Sequence, residues 1–129
     1  MPSNPKTIVL LASDLMLSST ISGHVAATGS QFRSTGTVID AVNVVNEHRD
    51  ALLLVDLGLP GLNVEALAGQ LSADTLHAAV AYGPHVHVLK LDAAKAAGFG
   101  SVMSRGSFSA SVGQLITKFV TKSQEQGHG

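Results

Sequence analysis

The chain of 129 residues contains no cysteine. That absence excludes disulfides and thiolate metal sites and fits a reducing compartment, so a cytoplasmic location is expected. Aromatic residues reach only 4%, with one tyrosine, four phenylalanines and no tryptophan. The core must therefore be aliphatic, with helices packed closely on a sheet. No apolar run approaches the roughly 18 residues that a membrane span needs. The start, Met1-Pro2-Ser3-Asn4-Pro5-Lys6, lacks the basic-then-apolar order of a signal peptide. Neither charge sign dominates: eight Lys and Arg face nine Asp and Glu, for a net charge of −1 and a pI of about 6.6. No global field then attracts nucleic acid or an anionic membrane, and neither partner is expected. There is no CxxC, HExxH or Walker-type loop, and no internal repeat. Gly98-Phe99-Gly100 precedes an expected strand and lacks the third glycine of a dinucleotide fingerprint.

What is present is a hydrophobic fraction of 45% and a mean hydropathy of +0.30. In a chain of this length these fit one compact domain with a proper core. The most telling stretch is Ala51-Leu52-Leu53-Leu54-Val55-Asp56-Leu57-Gly58-Leu59-Pro60-Gly61. Five apolar residues run into one carboxylate, and a Gly/Pro loop follows. An unbroken apolar run bounded by turn residues suits a strand buried on both faces of a parallel sheet. Asp56 then sits at the carboxyl end, where open α/β sheets place their chemistry. Thr7 to Ala12 reads as a second buried strand, followed directly by Ser13-Asp14. Neighbouring parallel strands end on the same side, so Asp14 and Asp56 can converge. Two close anions favour a hard cation with oxygen ligands, or a raised pKa on one of them; magnesium suits such a pair better than zinc.

Between and after these strands the periodicities predict alternating elements. Leu15 to Thr28 is expected as a helix, with Leu17, Ile21, Val25 and Thr28 inward and Gly29 as its stop. Gln31 to Ser34 is a short strand. Thr37 caps a helix through about His48 with Val38, Ile39, Val42 and Val45 inward. Asn63 caps a third helix through about Ser72 carrying Val64, Leu67, Ala68 and Leu71. Leu76 to Tyr82 is a fourth strand, ended by Gly83-Pro84. A fourth helix runs from His85 or Val86 to Ala97 and stops at Gly98. Ser101 to Ser104 is a fifth strand. Ser107 or Ser109 caps a last helix through about Lys122, with Val112, Leu115, Ile116, Phe119 and Val120 inward. Five strands alternating with five helices predict a doubly wound α/β sheet in three layers. Residues 123–129 form a polar tail or the start of a linker.

Over about residues 6 to 122 the chain resembles a response-regulator receiver domain, the CheY-like phospho-acceptor module of bacterial two-component (phosphorelay) signalling. The residues that carry the resemblance are Val55-Asp56-Leu57-Gly58-Leu59-Pro60-Gly61 and Ala96-Ala97-Gly98-Phe99-Gly100-Ser101-Val102-Met103-Ser104-Arg105. It implies a flavodoxin-like strand order 2-1-3-4-5, with the first and third strand ends side by side. It further implies Asp56 as phospho-acceptor and a Mg2+ ion held by Asp14, Asp56 and the backbone carbonyl of Gly58. Arg105 would pair with the carboxylate or phosphoryl group. The implied partners are a histidine kinase or phosphotransfer protein and an output protein or domain. The face of the fourth helix, fifth strand and fifth helix would make the contacts or form a homodimer. Such a domain is not ordinarily called an enzyme.

The departures from the pattern are specific. The first of the two acids after the first strand is Ser13, whose hydroxyl holds a metal only weakly, through water. The switch hydroxyl at the end of the fourth strand is replaced by Gly83, flanked by Tyr82 and Pro84. The usual lysine is Arg105, a planar fork instead of a point charge on a flexible stem, followed by Gly106 where proline is usual. The aromatic switch position falls near Val102. Phosphate sensing by a coupled hydroxyl and ring is therefore expected to be disabled. Three functions follow: an atypical receiver phosphorylated on Asp56, a phosphorylation-independent interaction module on the same fold, and a small metal-dependent hydrolase. The last lacks any further base or nucleophile near the acids. His85 and His87, two places apart at a helix start, would diverge by roughly 200°. His85 is placed with Tyr82 at the rim of the site, where it would tune water access to an acyl phosphate. His24, His48 and His77 read as structural or surface residues, and Lys118 and Lys122 as a solvated face near a helix C-terminus.

Overall fold

The computed structural model describes residues 6–48 and 50–126. The expectations for residues 1–5, for the side chain of Lys122 and for the tail beyond Gln126 fall outside what is described. Five parallel strands, β1 (Thr7–Leu11), β2 (Gln31–Thr35), β3 (Ala51–Asp56), β4 (Val80–Gly83) and β5 (Ser101–Ser104), form one sheet in the order β2-β1-β3-β4-β5. Six helices connect or follow them: α1 (Leu15–Thr28), α2 (Val38–Glu47), α3 (Val64–Gly69), α4 (Ala73–Ala78), α5 (Val88–Ala97) and α6 (Arg105–Gln126). The strand order is the one expected; the helix count is one higher.

The alternation of a strand's side chains divides the core into two clusters. Ile8, Leu10, Leu52, Leu54, Val80 and Tyr82 pack toward α1 and α6, against Leu17, Ile21, Val25, Phe108, Val112 and Ile116. Val9, Leu11, Leu53, Val55, Leu57, Ala79 and Ala81 pack the other way, against Ala41, Val42 and Val45 of α2, Leu67 and Ala68 of α3, and Ala94 of α5. Every residue of β1 and β3 is buried. That explains why both read as unbroken apolar runs: helices cover both faces.

Five expectations need correction. The helix capped by Asn63 ends at Gly69, and the expected strand from Leu76 begins only at Val80. Between them Ser72 caps α4, its hydroxyl accepting the Thr75 amide at 3.2 Å, so Leu76 to Ala78 belong to a helix. The apolar Leu76 masked the start signal of Ser72 followed by Asp74 in the first turn. Helix α5 begins at Val88, not His85 or Val86. His85-Val86-His87 form a turn whose His87 amide donates to the Pro84 carbonyl at 2.9 Å. Helix α6 starts directly at Arg105, earlier than either serine proposed as its cap, and it continues to Gln126, past Lys122. Ser104 Oγ accepts the Ser107 amide at 3.1 Å, so the capping serine is the last residue of β5. Ile39, expected inward, is 73% exposed. Val38, Ala41, Val42 and Val45 fill the inner stripe of α2, and Ile39 falls outside it.

Helix α5 ends at Gly98, whose φ of 104° suits glycine and whose amide closes onto Ala94 and Lys95. The parallel register aligns Leu11 with Val55, Asp56 with Tyr82, and Gly83 with Ser104. The carboxyl ends of β1, β3, β4 and β5 therefore form one rim, and each residue singled out from the sequence for chemistry lies on or just past it.

Candidate functional site at the carboxyl rim

Asp14 follows β1 by three residues and serves as the N-cap of α1. Its Oδ1 accepts the amides of Met16 at 3.0 Å and Leu17 at 3.1 Å. This is what an aspartate before a helix does to satisfy orphan N–H groups. Its other oxygen, Oδ2, accepts from Nη2 of Arg105, the first residue of α6. The amide of Leu17 holds the Asp14 carboxyl below its ordinary value, and the Arg105 guanidinium and the Met16 amide add to this against a desolvation cost. One carboxylate thus ties the start of the first helix to the start of the last.

Asp56 ends β3 and is 6% exposed. Its Oδ1 accepts the Gly58 amide at 2.8 Å, across the turn that leaves the strand. Gly58 therefore contributes an N–H to this carboxylate; its carbonyl was the group singled out from the sequence. Alternation along β3 sends Asp56 to the same face as Leu52 and Leu54, toward α1 and α6. Tyr82, its partner in the parallel register, faces the same way.

Tyr82 is fully buried, and its ring stacks on Phe108 of α6 with centroids 4.0 Å apart and planes 5° from parallel. Its hydroxyl is buried without a hydrogen-bond partner. Burial pushes this hydroxyl above its ordinary pKa, and the Asp56 carboxylate adds to the rise. Arg105 opposes it and Asp14 contributes in the same direction as Asp56. Arg105 and Asp14 are in direct contact and Asp56 is paired with Tyr82 in the register, so the three charged groups stand on the same rim. Sequence reasoning placed Tyr82 only as a packing or rim residue. The missing signal was the register, which sets it opposite Asp56.

The other expected positions make no side-chain hydrogen bond or ion pair with this cluster. Gly83 is buried at the end of β4, and a Cβ built there would lie 3.3 Å from Cβ of Leu57. The position where a switch hydroxyl is usual thus carries no side chain and lies tight against Leu57. The hydroxyl beside it belongs to Ser104, but that group is engaged with Ser107 at the start of α6. Val102 is half-buried and packs against the α2–α5 cluster, away from Tyr82. Ser13 is exposed beside Asp14, and His85 and His87 are exposed in the turn after β4. A groove of about 300 Å³ opens on that side, lined among others by Leu57, Leu62, Val64, Leu89 and Lys90. Leu89 is 85% exposed, and Val86 and Val88 stand nearby in sequence and are also exposed. A larger groove of about 860 Å³ runs between α1 and α6 past His24, Gly113 and Lys118, and none of the rim's charged residues lines it.

The donor set for a divalent cation is thin. Both oxygens of Asp14 and one of Asp56 accept from the protein. That leaves Asp56 Oδ2, backbone carbonyls and the Ser13 hydroxyl. Among the described residues no group of three or more His, Asp and Glu could hold a metal ion. Mg2+ keeps several waters but needs one or two carboxylate oxygens aimed at it, and here a guanidinium stands on the first. In this arrangement the residues do not fit the ion. No helix among the described residues is long and apolar enough to cross a membrane.

No protein-family model matches the sequence, and no curated protein matches it significantly. Solved structures do resemble it. A response regulator receiver domain protein from Clostridium thermocellum superposes with a TM-score of 0.72 at 11% identity, over 94% of this chain and 98% of that one. The receiver domain of a sensor histidine kinase from Pseudomonas aeruginosa, described with magnesium coordinated in its active-site cleft, gives 0.68 at 14% identity over 91% and 98%. The beryllofluoride-activated NtrC4 receiver domain, solved as a dimer, gives 0.67 at 11% identity over 88% and 98%. At such identities the likeness establishes the fold, and that fold is the receiver-domain fold.

Proposed function

We propose that this chain is an atypical receiver domain of two-component signalling that acts as a protein-interaction module and has no phosphate-driven switch. The observation that carries the reading is the packing of Leu57 on Gly83. A switch needs a hydroxyl that moves toward a new anion. At this position the backbone carries no side chain, and a Cβ there would press on Leu57 Cβ at 3.3 Å. The ring that would answer such a movement is replaced by Val102, which packs into the α2–α5 cluster.

The contact face is that of α5, β5 and α6, the elements counted from the sequence as the fourth helix, fifth strand and fifth helix. Leu89 supports the α5 part of this face, since so large an apolar side chain left in water marks a place for a partner; the groove beside it opens between α5 and α3. The partner is an output protein or domain; a second copy is the homodimeric version of the same contact.

A second reading has one observation in its favour. Asp56 is buried at the strand end with Oδ1 fixed by Gly58, which leaves Oδ2 as an oriented nucleophile. On that reading a histidine kinase or phosphotransfer protein phosphorylates Asp56, and a Mg2+ cofactor would first have to displace Arg105 from Asp14 Oδ2. Incubation with acetyl phosphate and Mg2+, followed by intact mass measurement, separates the two. The interaction-module reading expects no phosphoryl adduct. An adduct that disappears in Asp56→Asn establishes the second reading and removes the first.

A further inference from the structure

We infer that the guanidinium of Arg105 is a resident cation that takes the place of a divalent metal at the acidic rim, so that the folded state is indifferent to Mg2+. The pair of carboxylates at positions 14 and 56 carries two negative charges, and something must neutralise them where Asp56 is almost fully buried. In this chain the neutralising groups are built in. Arg105 meets Asp14 Oδ2, and the first amides of α1 meet Asp14 Oδ1. The Gly58 amide meets Asp56 Oδ1. Three of the four carboxylate oxygens are thus engaged by donors that come from the fold itself.

Position also favours the guanidinium over a free ion. Arg105 is the first residue of α6, which follows β5 without a linker, so its Cα is fixed by the sheet and the helix together. A cation tethered in this way needs no recruitment from solvent and loses no hydration shell of its own as tightly bound as that of Mg2+. Serine at position 13 fits the same arrangement. A second acid there would restore a demand for positive charge that one guanidinium does not meet, and Ser13 adds none.

This inference rests on the receiver reading for where a metal would sit, yet it fails separately. Its failure shows as metal binding by the wild type, whereas failure of the interaction-module reading shows as a phosphoryl adduct. The test is a titration of the full chain with MgCl2 against NaCl of matched ionic strength. It is read by calorimetry and by the fluorescence of Tyr82, the only tyrosine in a chain without tryptophan. The wild type is expected to give no saturable heat or emission change in the millimolar range. Arg105→Ala, which releases Asp14 Oδ2, is expected to gain saturable Mg2+ binding, tighter than any wild-type response by about tenfold or more. The added substitution Asp14→Asn should abolish that gain. Saturable wild-type binding as tight as that of Arg105→Ala overturns the inference. So does a folded Arg105→Ala protein, checked by its thermal transition, that stays silent to Mg2+.

Discussion

The rim of this sheet has two sides that differ in chemistry although the same strands build them. Toward α1 and α6 it is charged and hydrogen-bonded, with Asp14, Asp56, Arg105 and the Tyr82 hydroxyl gathered over the strand ends. Toward α2–α5 it is apolar, with Leu57 against Gly83 and Val102 packed into the cluster below. A device that reads charge on Asp56 must couple the two sides through groups that move. Here the first side is held by bonds within the fold and the second has no side chain at Gly83. On the proposed reading, acidic residues at a strand end are kept without a switch. Asp14 has a structural task as cap and ion-pair partner that would retain it even without phosphate or metal chemistry.

The largest perturbation is available on the apolar side. Gly83→Thr puts a Cβ 3.3 Å from Leu57 Cβ and adds two further heavy atoms. Overpacking of this kind costs about 1–3 kcal/mol. Urea unfolding should show that loss, and Leu57→Ala in the same chain should return part of it, because contacting residues couple. A Gly83→Thr protein as stable as the wild type would mean that Leu57 yields and that a switch hydroxyl fits at this position.

Next in size is Tyr82→Phe, which acts on the charged side. The substitution keeps the ring stacked on Phe108 and removes a buried hydroxyl without a partner. Leaving such a group unsatisfied costs about 1–3 kcal/mol, so its removal should stabilise the domain by about 1 kcal/mol. A destabilised Tyr82→Phe, measured by the same urea transition, would mean that the hydroxyl has a partner in solution and belongs to a working network. Arg105→Ala should change stability by less, within about 1 kcal/mol, since its side chain is 45% exposed and half-exposed ion pairs contribute little. A much larger loss would show that the pair holds α1 and α6 together, beyond neutralising a carboxylate.

The sequence made the two sides legible to different degrees. The apolar runs of β1 and β3, the caps Thr37 and Asn63 and the stops at Gly29 and Gly98 are local signals, and each was found where it was expected. Helix α4 was missed because Leu76 to Val80 is apolar enough to read as strand when periodicity is short. The start of α6 was missed because the capping serine is itself the end of a strand. At the rim, Asp14 and Asp56 were readable as strand-end acids. The choice of Asp14 as the partner of Arg105 was not, because it depends on how α1 is capped and where α6 begins. The facing of Tyr82 toward Asp56 depends on the register of β3 with β4, which a single chain does not display.

The smallest expected effect concerns pH and isolates the cap. Asp14 is held below its usual value of 3.8, first by the Leu17 amide and then by Arg105 and the Met16 amide. A carboxylate with a depressed folded pKa contributes stability that is fully present above the unfolded value and fades as pH falls through the folded one. Stability should therefore drop with falling pH in the window below about pH 3.8, and Asp14→Asn should flatten the part of that drop that Asp14 causes. Arg105→Ala should flatten it less than Asp14→Asn, since the helix amides remain. Urea midpoints taken through that window for the three proteins decide the matter. Parallel profiles for wild type and Asp14→Asn would mean that neither the cap nor the ion pair persists in solution, and the charged side of the rim would then be open to a cation after all.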